Sequence, residues 1–207
     1  MRFLKRLFKQ NSHNFIFKFL AGFGRSLNRL YENRNHDLKS NGELTVIKKL
    51  LKFKPSVFIE GGANIGKYSI LISSMYPNCK IYSFEPVNDS FKKLKSNTKD
   101  FANIIPINKG LYKNNCNMNI NVFSSNTHSS IYEIQGISYQ SNKKEIIELV
   151  SGDNFMEEEN LKEIEFLKID IEGAEFDAIL GFEKHFKEGK IKAVQFEYGY
   201  ILSLIHI

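Results

Sequence analysis

The segment Val57-Phe-Ile-Glu-Gly-Gly-Ala-Asn-Ile-Gly-Lys-Tyr-Ser69 constrains this chain more than any other. An apolar run of strand length ends in an acid, passes through a turn of small residues and enters a helical pattern. A unit of this kind opens a layered α/β fold. Gly62 allows backbone to approach a ligand with no Cβ between them, and Gly66 permits a tight entry into the helix. The N–H groups at that helix start suit a carboxylate or phosphate. Glu60, at the strand tip, can hold a cationic ammonium or order the loop, and Asn64 sits within the same turn.

The alternation then repeats. Residues 80–85 form a second strand closed by Pro86, Asp89 caps a helix running to about residue 99, and residues 104–108 form a third strand. Residues 163–170 and 193–197 resume the core strands on either side of a helix over about 174–186. The pattern predicts a doubly wound, mostly parallel sheet with right-handed crossovers. Upstream, residues 43–52 suit a helix, with Asn41 as its cap and Pro55 as its terminator. Residues 111–150 differ, being rich in Asn and Ser with short alternating stretches at 118–123, 130–134 and 145–150. They read as antiparallel strands inserted at the carboxyl edge of the sheet.

Two ligand classes compete for the first turn. A dinucleotide loop would show G-x-G-x-x-G, with pyrophosphate on the helix dipole. The spacing from Glu60 through Gly62, Asn64 and Gly66 lacks that form and better suits an amino-acid carboxylate beside an ammonium, the methionine end of S-adenosylmethionine. Glu85 ends the second strand nineteen residues past Gly66, where an acid can accept hydrogen bonds from both hydroxyls of a ribose. Asn108, at the end of the third strand, can reach an adenine edge or simply make the turn. A further constellation is Phe166-Leu-Lys-Ile-Asp-Ile-Glu-Gly-Ala-Glu175. Methyl transfer to a hydroxyl needs an acceptor placed in line and a base for its proton. Asp170 is the first candidate for that role and Glu172 the second, while Glu175 suits a helix N-terminus. His128, in the polar insertion, is a lone loop histidine that can face an acceptor.

Charge is unevenly placed. Residues 1–39 hold nine Lys and Arg against Glu32 and Asp37, a balance of +7, whereas the whole chain carries +6. The remaining residues therefore sum to −1, and a basic nucleic-acid-binding body is not implied. Residues 1–35 read as helical and amphipathic: Phe3, Leu4, Leu7 and Phe8 oppose Arg2, Lys5, Arg6 and Lys9, and a second apolar cluster spans 15–23. Such a segment either packs on the domain with a solvated basic side or lies on an anionic membrane face. Cys79 and Cys116 are the only cysteines, too few for a disulfide framework, and no Cys/His cluster suggests a metal site. The expectation is a cytoplasmic protein, peripheral at most to the inner membrane face.

Taken together, Ile59-Glu-Gly-Gly-Ala-Asn-Ile-Gly66, Phe84-Glu-Pro86, the Asn108-Lys-Gly110 turn, the Ser-rich insertion and Leu167-Lys-Ile-Asp-Ile-Glu-Gly-Ala-Glu175 resemble the FkbM-type S-adenosylmethionine-dependent methyltransferases. The resemblance covers about residues 41–200. It implies a class I, Rossmann-like methyltransferase fold and O-methylation of a hydroxyl on a sugar, glycan or small metabolite. Glu197 falls where the family often carries a strand-end acid, and Glu60 departs from the family's usual Asp by one methylene. On this reading residues 1–40 form a basic helical segment and 41–201 a methyltransferase domain whose last strands are missing. Residues 202–207, Leu-Ser-Leu-Ile-His-Ile, match what a common transposon-end sequencing adapter encodes and are expected to be read-through. Two alternatives stay open: a nicotinamide-dependent oxidoreductase, for which Glu85 would also serve, and a non-enzymatic membrane-surface module.

Overall fold

The computed structural model describes residues 14–31, 42–50, 54–122, 129–130, 143–171 and 173–196. The chain divides into two compact units, residues 1–51 and 52–207. In the first, α1 (Phe15–Tyr31) begins where the Asn14 side chain accepts the Ile16 N–H at 2.9 Å. An asparagine in this place satisfies one of the donors that a helix start leaves open. Helix α2 (Glu43–Leu50) carries Glu43 in its first turn and Lys48 and Lys49 in its last, the polarity its dipole favours. Asn41, expected as its cap, lies outside the described residues.

In the second unit, β1 (Val57–Gly61), α3 (Lys67–Met75), β2 (Lys80–Phe84), α4 (Asn88–Asn97) and β3 (Ile104–Ile107) form the expected alternation. A second sheet follows, made of β4 (Gly110–Tyr112), β5 (Cys116–Val122), β6 (Ser129–Ser130) and β7 (Lys143–Ser151). The chain returns through α5 (Gly152–Glu158), β8 (Phe166–Ile169), α6 (Glu175–Leu180), α7 (Glu183–Lys187) and β9 (Val194–Phe196). The five core strands are all parallel, in the order β3-β2-β1-β8-β9. That order reverses beside β1, which places a ligand crevice at the carboxyl ends of these strands.

Side chains alternate across the core sheet and build two layers. Ile59, Tyr82, Phe84, Leu167 and Ile169 pack against Phe155, Met156, Ala178 and Phe182. The Phe155 ring meets Tyr82 and Phe84 edge-on, with centroids 5.0 and 4.8 Å away. Phe58, offset by one residue, stacks instead on Tyr68 of α3 and on Phe166.

Four details depart from the sequence expectations. The insertion is not wholly antiparallel: β5 runs against β7, but β4 pairs with β7 in parallel. The chain reverses between β4 and β5 and again between β5 and β7, so β4 and β7 point the same way. Asp89 does not cap α4, which starts one residue earlier with Val87 in the cap position. The Val87 and Asn88 N–H groups are taken by the carboxylates of Glu85 and Glu145, each at 2.9 Å, so acids from elsewhere do the capping. The helix expected over 174–186 is two, α6 and α7. They part at Gly181, where a β-carbon would lie 2.1 Å from the Tyr112 carbonyl oxygen. Helix α5 was not expected; Ser151 caps it by accepting the Asn154 N–H.

Candidate active site

The loop that follows β1 is closed by β2. The N–H groups of Gly62 and Ala63 both donate to the Phe84 carbonyl, at 3.0 and 2.9 Å. Asn64, held at φ 49°, turns the chain back toward the start of α3. Its N–H donates to Oε2 of Glu85 at 2.9 Å, while Oε1 of the same carboxylate accepts from Val87. Glu85 therefore ties the first loop to the segment after β2, and it is 6% exposed. Burial pushes its carboxyl up to about 7, helped by the nearby Glu145, and the two N–H donors resist the shift. Asn108 braces the same place from β3, donating through Nδ2 to the carbonyls of Glu85 and Pro86 at 2.9 and 3.1 Å.

The glycines have packing roles. At φ 81°, Gly62 lies in the left-handed region, and a β-carbon there would be 1.9 Å from the Asp170 carbonyl oxygen. The space beside Gly62 is thus filled by the end of β8. The Asp170 N–H donates to the Gly61 carbonyl at 3.0 Å, which joins this acid's backbone to the loop. Gly66, at φ 85°, clears Leu94 and Thr98 of the α4 region.

Glu60 lies beneath the loop. It is 2% exposed, accepts a hydrogen bond from the Ser69 hydroxyl, and Ser69 and Ser83 hydroxyls lie 2.6 Å apart. Ser83 and Lys168 flank Glu60 in register on the neighbouring strands, with Gln195 next to Lys168. A polar row thus crosses the otherwise apolar face under α3. Lys168 is also buried; its ammonium lies 2.7 Å from Oδ2 of Asp170 and 4.6 Å from the centre of the Tyr68 ring. The Asp170 side chain, 38% exposed, remains open to the crevice edge. Lys168 went unremarked in the sequence. Its signal is the spacing: residues 168 and 170 share a strand face, and a lysine among buried strand residues needs a partner.

The crevice edge so gathers Glu85, Asn64 and Asp170 around Gly62, with Asn108 behind Glu85. Glu175 serves the turn after Asp170, accepting the Ile171 and Gly173 N–H groups at 3.3 and 3.0 Å. Glu172, His128 and Glu197 lie outside the described residues. Among the described residues no three His, Cys, Asp or Glu side chains are grouped to hold a metal ion.

The family model of the methyltransferase FkbM domain matches residues 60–204. The chain belongs to the FkbM methyltransferase family. The match begins at Glu60 and takes in every residue of the crevice just described. The hexuronic acid methyltransferase AglP of Haloferax volcanii is 26% identical over 154 residues, covering 72% of this chain. Methyltransferase 1 of Beauveria bassiana is 22% identical over 146 residues, covering 62% of it. The chain spans 59% of the length of each of these two relatives. Among solved structures, a precorrin-6y C5,15-methyltransferase from Geobacter metallireducens matches with a TM-score of 0.43 and 14% identity, covering 78% of this chain and 63% of that one. The class I, Rossmann-like architecture of the FkbM chain rests on its own strand order and on this membership.

Proposed function

We propose that this FkbM chain is an S-adenosylmethionine-dependent O-methyltransferase acting on a hydroxyl of a sugar, glycan or small metabolite. One observation supports it best. Glu85 is a buried carboxylate whose two oxygens hold the glycine loop and the start of α4, at the crevice edge where Asp170 emerges. Family membership supports this reading over a nicotinamide-dependent oxidoreductase or a non-enzymatic module.

The residues present fit the cofactor. Each Glu85 oxygen accepts one backbone N–H and keeps a further lone pair for a ribose hydroxyl. The Oδ1 of Asn64 is buried without a hydrogen-bond partner among the described residues, an acceptor suited to the donor's ammonium. Glu60 acts from below through Ser69, fixing the first turn of α3. Gly62 and Gly66 hold the loop's path, and Asn108 fixes the backbone that carries Glu85. When bound, the sulfonium supplies an electrophilic methyl group. Asp170 orients the acceptor hydroxyl and takes its proton, with Lys168 holding the carboxylate in place and Glu172 as the second acid of this edge. Most of the acceleration comes from alignment, with proton removal secondary. A sugar acceptor is favoured by the relative named as a hexuronic acid methyltransferase. Two free cysteines are consistent with a cytoplasmic setting.

The test is transfer of labelled methyl groups to a panel of hydroxylated acceptors that includes hexuronates. Asp170→Asn keeps an acceptor for the Lys168 ammonium. It should lower turnover by about 10²–10⁴-fold while leaving cofactor affinity within ~3-fold. Full turnover in that variant would remove Asp170 from the chemistry.

A further inference from the structure

Helix α1 presents an apolar stripe to solvent. Phe15, Ile16, Phe19, Leu20, Phe23, Leu27 and Tyr31 are between 48% and 88% exposed. The spacing of Phe15, Phe19, Phe23 and Leu27 places them on one side of the helix, with Ile16, Leu20 and Tyr31 flanking them. Lys18 and Arg25, seven residues apart, lie on the opposite side and are exposed. Among the described residues, a β-carbon added at Gly22 or Gly24 would meet nothing within 4 Å. An apolar stripe of this size left in water marks a surface meant for something else.

The charge pattern identifies the occupant. The helix contains no acidic residue, and residues 1–39 hold +7 while the remainder of the chain sums to −1. A second copy of α1 would offer no acid to pair with Lys18 and Arg25. An anionic lipid surface meets both requirements: headgroups for Lys18 and Arg25, and the acyl boundary for the phenylalanines. No described helix is long and apolar enough to cross a membrane, and the cations of α1 suit a helix lying in the interface plane.

We infer that α1 is a membrane-docking helix that places its Phe15–Leu27 stripe in the headgroup region of an anionic bilayer. The surface it needs is a phospholipid leaflet of net negative charge.

The full chain contains no tryptophan, so Phe23→Trp provides a single reporter inside the stripe. This variant is mixed with vesicles of phosphatidylglycerol and phosphatidylcholine, or of phosphatidylcholine alone, at about 0.1 M and about 0.5 M salt. Expected are a blue-shifted tryptophan and co-sedimentation with anionic vesicles, at least ~10-fold stronger than with neutral ones and weakened by salt. Phe15→Glu with Phe19→Glu should reduce the partition by ~10-fold or more, and Lys18→Glu with Arg25→Glu should remove the preference for anionic lipid. An unshifted tryptophan with anionic vesicles overturns the inference. So does equal binding to neutral vesicles, or partition unchanged by the paired Glu substitutions. A blue shift that grows with protein concentration in the absence of lipid also overturns it and makes the stripe a contact between copies. The readout is lipid contact alone, so its failure leaves the methyltransferase reading untouched.

Discussion

Gly62 has a neighbour that a sequence cannot display: the carbonyl oxygen of Asp170, 1.9 Å from where a β-carbon would be. From sequence alone, this glycine clears the way for a ligand to approach the backbone. In the fold the position is already filled by protein. Gly62→Ala should therefore destabilise the chain itself, by about 2 kcal/mol or more from the positive φ and the clash together. A urea melt measures this, and a variant as stable as the wild type would show that the backbone yields. Glu85 carries a second expectation at this scale. Its carboxyl titrates at about 7 in the fold, against an ordinary value of 4.5, because burial disfavours the charged form. The native state therefore holds a proton that the unfolded chain releases between those values. The stability linked to this group is present below about pH 4.5 and is lost as pH rises through 7. Glu85→Gln lacks this dependence, so between pH 4.5 and pH 7.5 stability should shift toward the variant by up to ~3 kcal/mol, on top of any constant offset from a lost N–H bond. Melts across that range check the slope; parallel profiles would contradict it.

At the scale of elements, the core alternation was legible because a strand-length apolar run, a small-residue turn and an amphipathic helix each carry their own periodicity. The capping of α4 was not. Asp89 had the right residue type in the right place, but Glu85 and Glu145 reach the helix start from a strand end and from the insertion, a convergence visible only in three dimensions. Gly181 divides α6 from α7 for the same kind of reason, its neighbour being the Tyr112 carbonyl of β4. The polar row beneath α3 lies between these cases. Glu60 was legible as a strand-tip acid, whereas its hydrogen bond from Ser69 and its place between Ser83 and Lys168 depend on strand order. Ser69→Ala removes the hydroxyl that joins α3 to this row. It should cost about 1–3 kcal/mol, because a buried carboxylate loses a donor. If a thermal or urea melt moves by less than ~0.5 kcal/mol, the row does not secure the helix.

Across the whole molecule, charge and chemistry are separated. The cations that make the chain basic sit mainly in the first 39 residues, and the acids of the crevice sit in the FkbM domain, where acids outnumber cations. The proposed cofactor site and the proposed membrane-docking helix can therefore be tested one without the other. The claim on which the functional account depends is that the crevice held together by Glu85 is the cofactor site. Calorimetric titration of the folded chain with S-adenosylhomocysteine, beside NAD as a control, tests it most directly. The account predicts one site for S-adenosylhomocysteine, none for NAD, and at least a ~10-fold loss of affinity in Glu85→Ala, as expected when a bonded carboxylate is removed. A folded wild type that binds no S-adenosylhomocysteine, or a Glu85→Ala variant that binds it as tightly as the wild type, would contradict it.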